Sequence, residues 1–207
     1  MISDNSEITE GEFFNSKKYA INLLECLNPS LKYHCLEHTI NLVIPSVFEL
    51  CKNKEDSFKY SIAIAAAFHD TGFLLNYESN ESIGFMFAEH YIKNTKDIFS
   101  NEDLRNIKDA ILATNLSQDP ITYFSKVLRD ADLSYIAKKD FKIWIDRLQE
   151  ESKNYPGTAL YNVSLNKKSW LKSSINFFQN HEWYTKEAKK LYQKDKEKNI
   201  KYLINSI

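Results

Sequence analysis

The sequence predicts an all-α protein folded as a compact helical bundle. Three observations carry this expectation. Apolar residues recur at helical spacing along most of the chain, and no pair of alternating runs is joined by a hairpin signal. Glycine and proline number only four each, too few for the turns of a sandwich or barrel. One stretch, Ile62-Ala63-Ile64-Ala65-Ala66-Ala67-Phe68, is apolar on every side, as a helix at the centre of a bundle must be. With 207 residues the chain reads as a single domain, 1–207, long enough to bury a large core. Its body spans about 19–153, and a C-terminal helical pair over about 158–205 packs on it.

The elements follow in order. A first helix is expected over 11–27, with Phe13, Phe14, Ile21, Leu24 and Leu27 inward, and Asn28-Pro29-Ser30 breaks it. A second, over 36–52, turns Leu42, Val43, Val47 and Leu50 inward. Pro45 should kink it, because proline lacks a backbone donor and crowds the preceding turn. Ser57 reads as the cap of a third helix that ends near His69, with Gly72 as a left-handed stop. Ser79 or Asn80 caps a fourth to about Asn94, and Asn101 caps a fifth over 102–114. Asp119-Pro120 opens a sixth, since proline suits a first turn. Helical segments over 132–137 and 141–152 come next. Asn154-Tyr155-Pro156-Gly157 is the strongest turn signal, followed by helices over 158–180 and 185–204.

Several function classes are excluded at this level. No two glycines lie close enough for a Walker loop or a dinucleotide fingerprint. A formal net charge of −1 gives no global attraction to nucleic acid, and the C-terminal lysines alternate with acids as a solvated face. The longest apolar run, 62–68, is far short of a membrane span, so no membrane partner is expected. The N-terminus is polar and acidic, unlike a signal peptide, and three cysteines without a C-x-x-C form neither a disulfide framework nor a thiolate zinc site. A cytoplasmic protein is expected, and a homo-oligomer is compatible with the sequence.

Polar residues fall at costly places. His69-Asp70 ends the most apolar helix, where burying an imidazole and a carboxylate costs several kcal/mol unless each is paired or meets a cation. His38 sits early in the neighbouring helix. Asp130 and Asp132 follow the apolar stretch 123–128. Taken singly, each histidine reads as a core or surface residue and each aspartate as a cap. Two histidines and carboxylates converging from three helices would instead make a mixed nitrogen and oxygen site for one divalent ion.

The combination Tyr33-His34, Glu37-His38-Thr39, then Ala66-Ala67-Phe68-His69-Asp70-Thr71-Gly72-Phe73, then Asp130-Ala131-Asp132-Leu133 resembles the HD-domain superfamily of metal-dependent phosphohydrolases. Ile107 to Thr114 and Trp170 to Thr185 extend the likeness to small stand-alone bacterial members. The resemblance implies the helical HD-type fold and four metal ligands, His38, His69, Asp70 and Asp132. Asp130 is their neighbour. Many relatives carry His-Glu where this chain has Asn80-Glu81, and only His90 is left for a second centre, so one transition metal ion is implied: manganese, nickel, cobalt, iron or zinc. His181 reads as a packing or capping residue.

The implied reaction is hydrolysis of a phosphate ester of a small phosphorylated molecule, with nucleotides and cyclic nucleotides among the candidates. A lyase or hydratase on the same scaffold, or a nucleotide-binding regulatory module, is the alternative. Glu81 is the candidate for proton transfer. His34, four residues before His38, would share its face if the helix extends that far and would meet the phosphate or leaving group. Asp130 is the next catalytic candidate. Arg129 is the candidate substrate anchor, since arginines number only three and a guanidinium grips phosphate in a fork.

Overall fold

The computed structural model describes residues 7–95 and 98–206. All its regular elements are helical, and no strand occurs among the described residues. No helix among them is long and apolar enough to cross a membrane. Residues 1–6 of the acidic N-terminal stretch lie outside the described residues.

Helix α1 (Glu10–Leu24) starts from a reciprocal box. The Thr9 hydroxyl accepts from the Glu12 amide, and the Glu12 carboxylate accepts from the Thr9 amide. Two otherwise unpaired amides are thereby satisfied. Phe14, expected inward, is 58% exposed. The segment expected as one kinked helix is a π-helical turn, His38–Val43, running into α2 (Ile44–Leu50). The Ile44 amide reaches back five residues to the Thr39 carbonyl, and Pro45 lies in the first turn of α2. The wide turn absorbs the donor that proline lacks.

Helix α3 (Asp56–Phe68) is the central one, with every residue from Ser61 to Phe68 buried. Glu55, not Ser57, is its N-cap. The Ser57 hydroxyl accepts from the Ile8 amide at 3.0 Å instead, which ties down the chain before α1. A 3₁₀ turn (Thr71–Leu74) follows, and Gly72 is not left-handed. Among the described glycines only Gly157 has a positive φ, 94°. Gly72 is required for space. A Cβ there would lie 1.8 Å from the Asn80 carbonyl oxygen, and one at Gly84 would lie 2.7 Å from the Phe68 carbonyl oxygen. Through these two positions α4 (Asn80–Asn94) packs closely on the end of α3.

Helix α5 (Asn101–Leu112) is capped by Ser100 in a box with Asp103, one residue before the expected cap. Helix α6 (Tyr123–Asp132) starts at Thr122, whose hydroxyl accepts from the Ser125 amide, so Asp119-Pro120 belongs to the preceding loop. A 3₁₀ turn (Leu133–Ala137) leads to α7 (Phe141–Ser152). The helix expected over 158–180 is broken into a single turn, α8 (Tyr161–Ser164), and α9 (Lys167–Asn180). Asn166 breaks it by accepting from the Ser169 amide as a new N-cap. Helix α10 (Lys186–Ile204) is capped by Thr185.

One hydrophobic cluster runs from Ile8 to Leu203 with α3 inside it. The last helices are also tied down by polar contacts. The Trp170 indole donates to the Ile145 carbonyl, and the Asn199 amide donates to the carbonyls of Ile136 and Lys138.

Glycine positions give opposite expected outcomes. Gly72→Ala forces backbone apart and should lower stability by about 1–3 kcal/mol in urea unfolding. Gly11→Ala, on an exposed helical turn whose nearest new contact is 3.7 Å away, should raise it by about 0.5–1 kcal/mol.

Candidate metal centre

Four of the side chains singled out in the sequence meet at one point. His38 opens the π turn, His69 caps α3 with Asp70 after it, and Asp132 ends α6. Ligating atoms of His38, His69 and Asp70 lie within 4.8 Å of one another, and all three residues are buried. Asp132 Oδ1 is 2.9 Å from His38 Nε2 and 3.7 Å from His69 Nε2. Asp70 Oδ2 is 3.2 Å from His69 Nε2 and 3.9 Å from His38 Nε2.

The hydrogen bonds around the cluster decide what it can hold. His69 Nδ1 donates to the Ala66 carbonyl at 2.7 Å, which turns Nε2 toward the cluster. Nε2 faces two carboxylate oxygens. His69 Nε2 and Asp70 Oδ2 are both buried without a hydrogen-bond partner. Buried carboxylates need a balancing cation, either a proton on the imidazoles or a metal ion in their midst, and among the described residues no lysine or arginine contacts this cluster. Burial alone would raise the Asp70 and Asp132 carboxyls; the His38 and His69 imidazoles reverse this and hold both below the usual range. Burial would lower the His69 imidazole; Asp70 and Asp132 raise it instead. A mixed set of two imidazoles and two carboxylates fits a divalent transition metal better than calcium or magnesium. His38 is oriented by packing, with the Tyr33 ring centred 4.6 Å away.

His34 lies outside the helix, which begins after it, so helical spacing does not place it. It nonetheless sits at the centre, its ring 6.5 Å from that of His38 and 4.2 Å from that of Phe73. Glu151 holds it there. This fully buried carboxylate accepts from the Tyr33 and His34 amides, from His34 Nδ1 at 2.5 Å and from the Tyr77 hydroxyl at 3.0 Å. Burial would lower the His34 imidazole, but the charge and hydrogen bond of Glu151 raise it to about 9. Sequence reasoning missed Glu151. It lies in Gln149-Glu150-Glu151-Ser152 on an amphipathic helix, and nothing separates it there from a surface glutamate.

Glu81 stands in the first turn of α4 and lines the same cavity as His34 and Asp132. Burial raises its carboxyl. The cavity holds about 490 Å³ and extends from these polar groups between α7, residues 158–160 and α9. Thr114, two residues past the end of α5, also lines it.

Two expected site residues face elsewhere. Asp130 is fully buried and accepts from the amides of Tyr184 and Thr185 and from the Thr185 hydroxyl. Residues two apart on a helix point in different directions, so Asp132 facing the centre turns Asp130 toward α10. Its expected catalytic role is corrected to an anchor for the α10 cap. Burial pushes its carboxyl up to about 6. Arg129 is 3% exposed, and its guanidinium donates to the carbonyls of Ala113, Asn115 and Gln118. It pins that loop and is not offered to a substrate. His90 is exposed on α4 beside Asn94. His181 ends α9 between Phe177 and Trp183, where burial and the Lys196 and Arg129 cations hold its imidazole down at about 3.

No family model, no curated protein and no solved structure matches the chain.

Two outcomes are expected. Manganese, nickel, cobalt or zinc should raise the melting temperature, by about 2.7 kcal/mol equivalent at a hundredfold excess over Kd. Asp70→Asn should lose that shift while its circular dichroism stays helical. The second concerns His181. A ring kept neutral in the fold lets the unfolded chain bind a proton first below pH 6.5, so stability falls as pH drops from 6.5 toward 3. In urea unfolding, His181→Gln should cancel about 2 kcal/mol of the wild-type loss between pH 7 and 5.

Proposed function

We propose that the chain is a metal-dependent phosphohydrolase of the HD-domain type, acting on a phosphate ester of a small molecule in the reducing cytoplasm. One observation carries the reading. His38, His69, Asp70 and Asp132 arrive from three separate segments with their ligating atoms converging, and Asp132 lines a cavity that also holds Glu81 and His34. On this reading those four side chains hold one transition metal ion. Such an ion supplies charge for a phosphoryl oxygen and acidifies a bound water.

The remaining work falls to the chain's own groups. His34, kept cationic at neutral pH by Glu151, holds a phosphoryl oxygen or gives its proton to the departing alcohol oxygen. Its Nδ1 is taken by Glu151, so Nε2 is the nitrogen that meets the substrate. Glu81, with its carboxyl raised by burial, accepts a proton from the attacking water. Glu151 positions His34 and touches no substrate. Free Cys26, Cys35 and Cys51 support the compartment assigned.

A hydratase or lyase is the second reading. It is favoured by one observation: among the described residues no lysine or arginine lines the cavity. Phosphate release from a panel of esters separates the two.

With manganese bound, Glu81→Gln should lower kcat by about 10²–10⁴-fold without changing metal content. His34→Ala should do the same or raise KM. Wild-type turnover in both variants, measured by phosphate release, would move proton transfer to other groups.

A further inference from the structure

The geometry points to a substrate whose alcohol part is an apolar alkyl or aryl body and whose only strongly polar group is the phosphoryl end. The inference rests on the proposed function for which end reacts. It adds what the other end must be.

The cavity is asymmetric. Its polar end is confined to Asp132, His34, Glu81 and Asn80. Beyond them the wall is built from Phe73, Tyr135, Leu148, Trp170, Phe177 and Phe178. Five polar groups of this wall are already paired within the protein, whereas the hydroxyls of Tyr33, Tyr135 and Ser173 have no hydrogen bond among the described residues. Thr114 donates to the Ile111 carbonyl, Thr158 to the Tyr155 carbonyl, Ser174 to the Trp170 carbonyl and the Trp170 indole to the Ile145 carbonyl. Tyr77 donates to Glu151. A sugar or base placed here would leave water for few replacement partners, at about 1–3 kcal/mol for each group left unpaired. An alkyl chain or aromatic ring gains on the same move.

Charge points the same way. Among the described residues no lysine or arginine lines the cavity. Arg129 is held by three carbonyls, and Arg147 pairs with Glu37 at 2.8 Å on the exposed surface. A polyphosphate would meet only His34 and one metal ion, with the Glu81 carboxyl beside them. Leu116 and Leu160 line the cavity and are 58% and 36% exposed, so its mouth is apolar as well.

The step itself balances simply. Water's oxygen forms the new bond to phosphorus and the ester P–O bond breaks. The electron pair leaves with the alcohol oxygen, which takes a proton, so water plus ester gives alcohol plus phosphate.

Two measurements test the inference. The first is binding of n-alkanols, from butanol to octanol, to metal-free protein, followed by tryptophan fluorescence. Affinity should rise about fourfold per methylene, the equivalent of 0.8 kcal/mol each. The second is kcat/KM of the manganese-loaded protein for octyl phosphate, glycerol 3-phosphate and adenosine 5′-monophosphate. All three are primary alkyl esters, so their leaving groups are comparable. Octyl phosphate should lead by at least about 100-fold, the worth of a few buried methylenes. Ser173→Arg, which puts a cation into the wall, should shrink that lead and weaken octanol binding. If that variant misfolds, the wild-type series decides alone. Affinity independent of chain length, or equal hydrolysis of all three esters, overturns the inference. Chain-length-dependent binding with no phosphate released from any ester overturns the phosphohydrolase reading and upholds the apolar body.

Discussion

Two imidazoles and two carboxylates buried where the most apolar helix ends are the constraint around which the rest is arranged. Isolated charges at that depth cost many kcal/mol, so each must be oriented and balanced by its neighbours. The Ala66 carbonyl fixes one nitrogen of His69, and the Tyr33 ring fixes the plane of His38. Asp132 reaches the pair because α6 ends beside them. The close approach of α4 matters equally. Gly72 and Gly84 have no side chain where α3 and α4 touch, and this contact carries Asn80 and Glu81 to the cavity. A residue of any size at Gly72 would push the Glu81 carboxyl away from the cluster it faces.

Helix α6 serves three directions within four residues. Arg129 holds the loop after α5, Asp130 holds the start of α10, and Asp132 turns into the cluster. The C-terminal helices are therefore coupled to the centre through one short helix. Asp130 fixes Tyr184 and Thr185, and α9, just before them, supplies Trp170, Phe177 and Phe178 to the cavity wall. The buried Lys196 closes this arrangement by donating to the His181 carbonyl.

The helical class was legible because apolar periodicity and scarcity of glycine and proline are local properties. His69-Asp70 was legible because two polar residues at the end of an apolar run stand out against their surroundings. Caps were read less well. Ser57, Asn101 and Asp119 each look able to cap, yet Glu55, Ser100 and Thr122 do so, because backbone angles at neighbouring positions decide among adjacent candidates. Gly72 was assigned the wrong reason for being glycine, since close approach between distant segments leaves no local mark. Arg129 and Asp130 misled for a related cause. Their partners lie 11 to 55 residues away, and rarity or adjacency says nothing about which way a side chain turns. Glu151 was invisible for the same reason, 117 residues from the histidine it charges.

Glu151 also explains how the two ends of the cavity differ in rigidity. A single carboxylate accepts from two backbone amides, an imidazole and a phenol, so the placement of Tyr33, His34 and Tyr77 is set before anything binds. Polar groups fixed in advance stabilise developing charge without reorganising at the moment of reaction. The aromatic wall works by a non-directional force that any apolar surface of suitable size satisfies. A site built this way is strict about geometry at its polar end and tolerant of shape along its apolar wall. Discrimination among bodies then comes chiefly from apolar area and from the cost of leaving polar atoms unpaired against the wall.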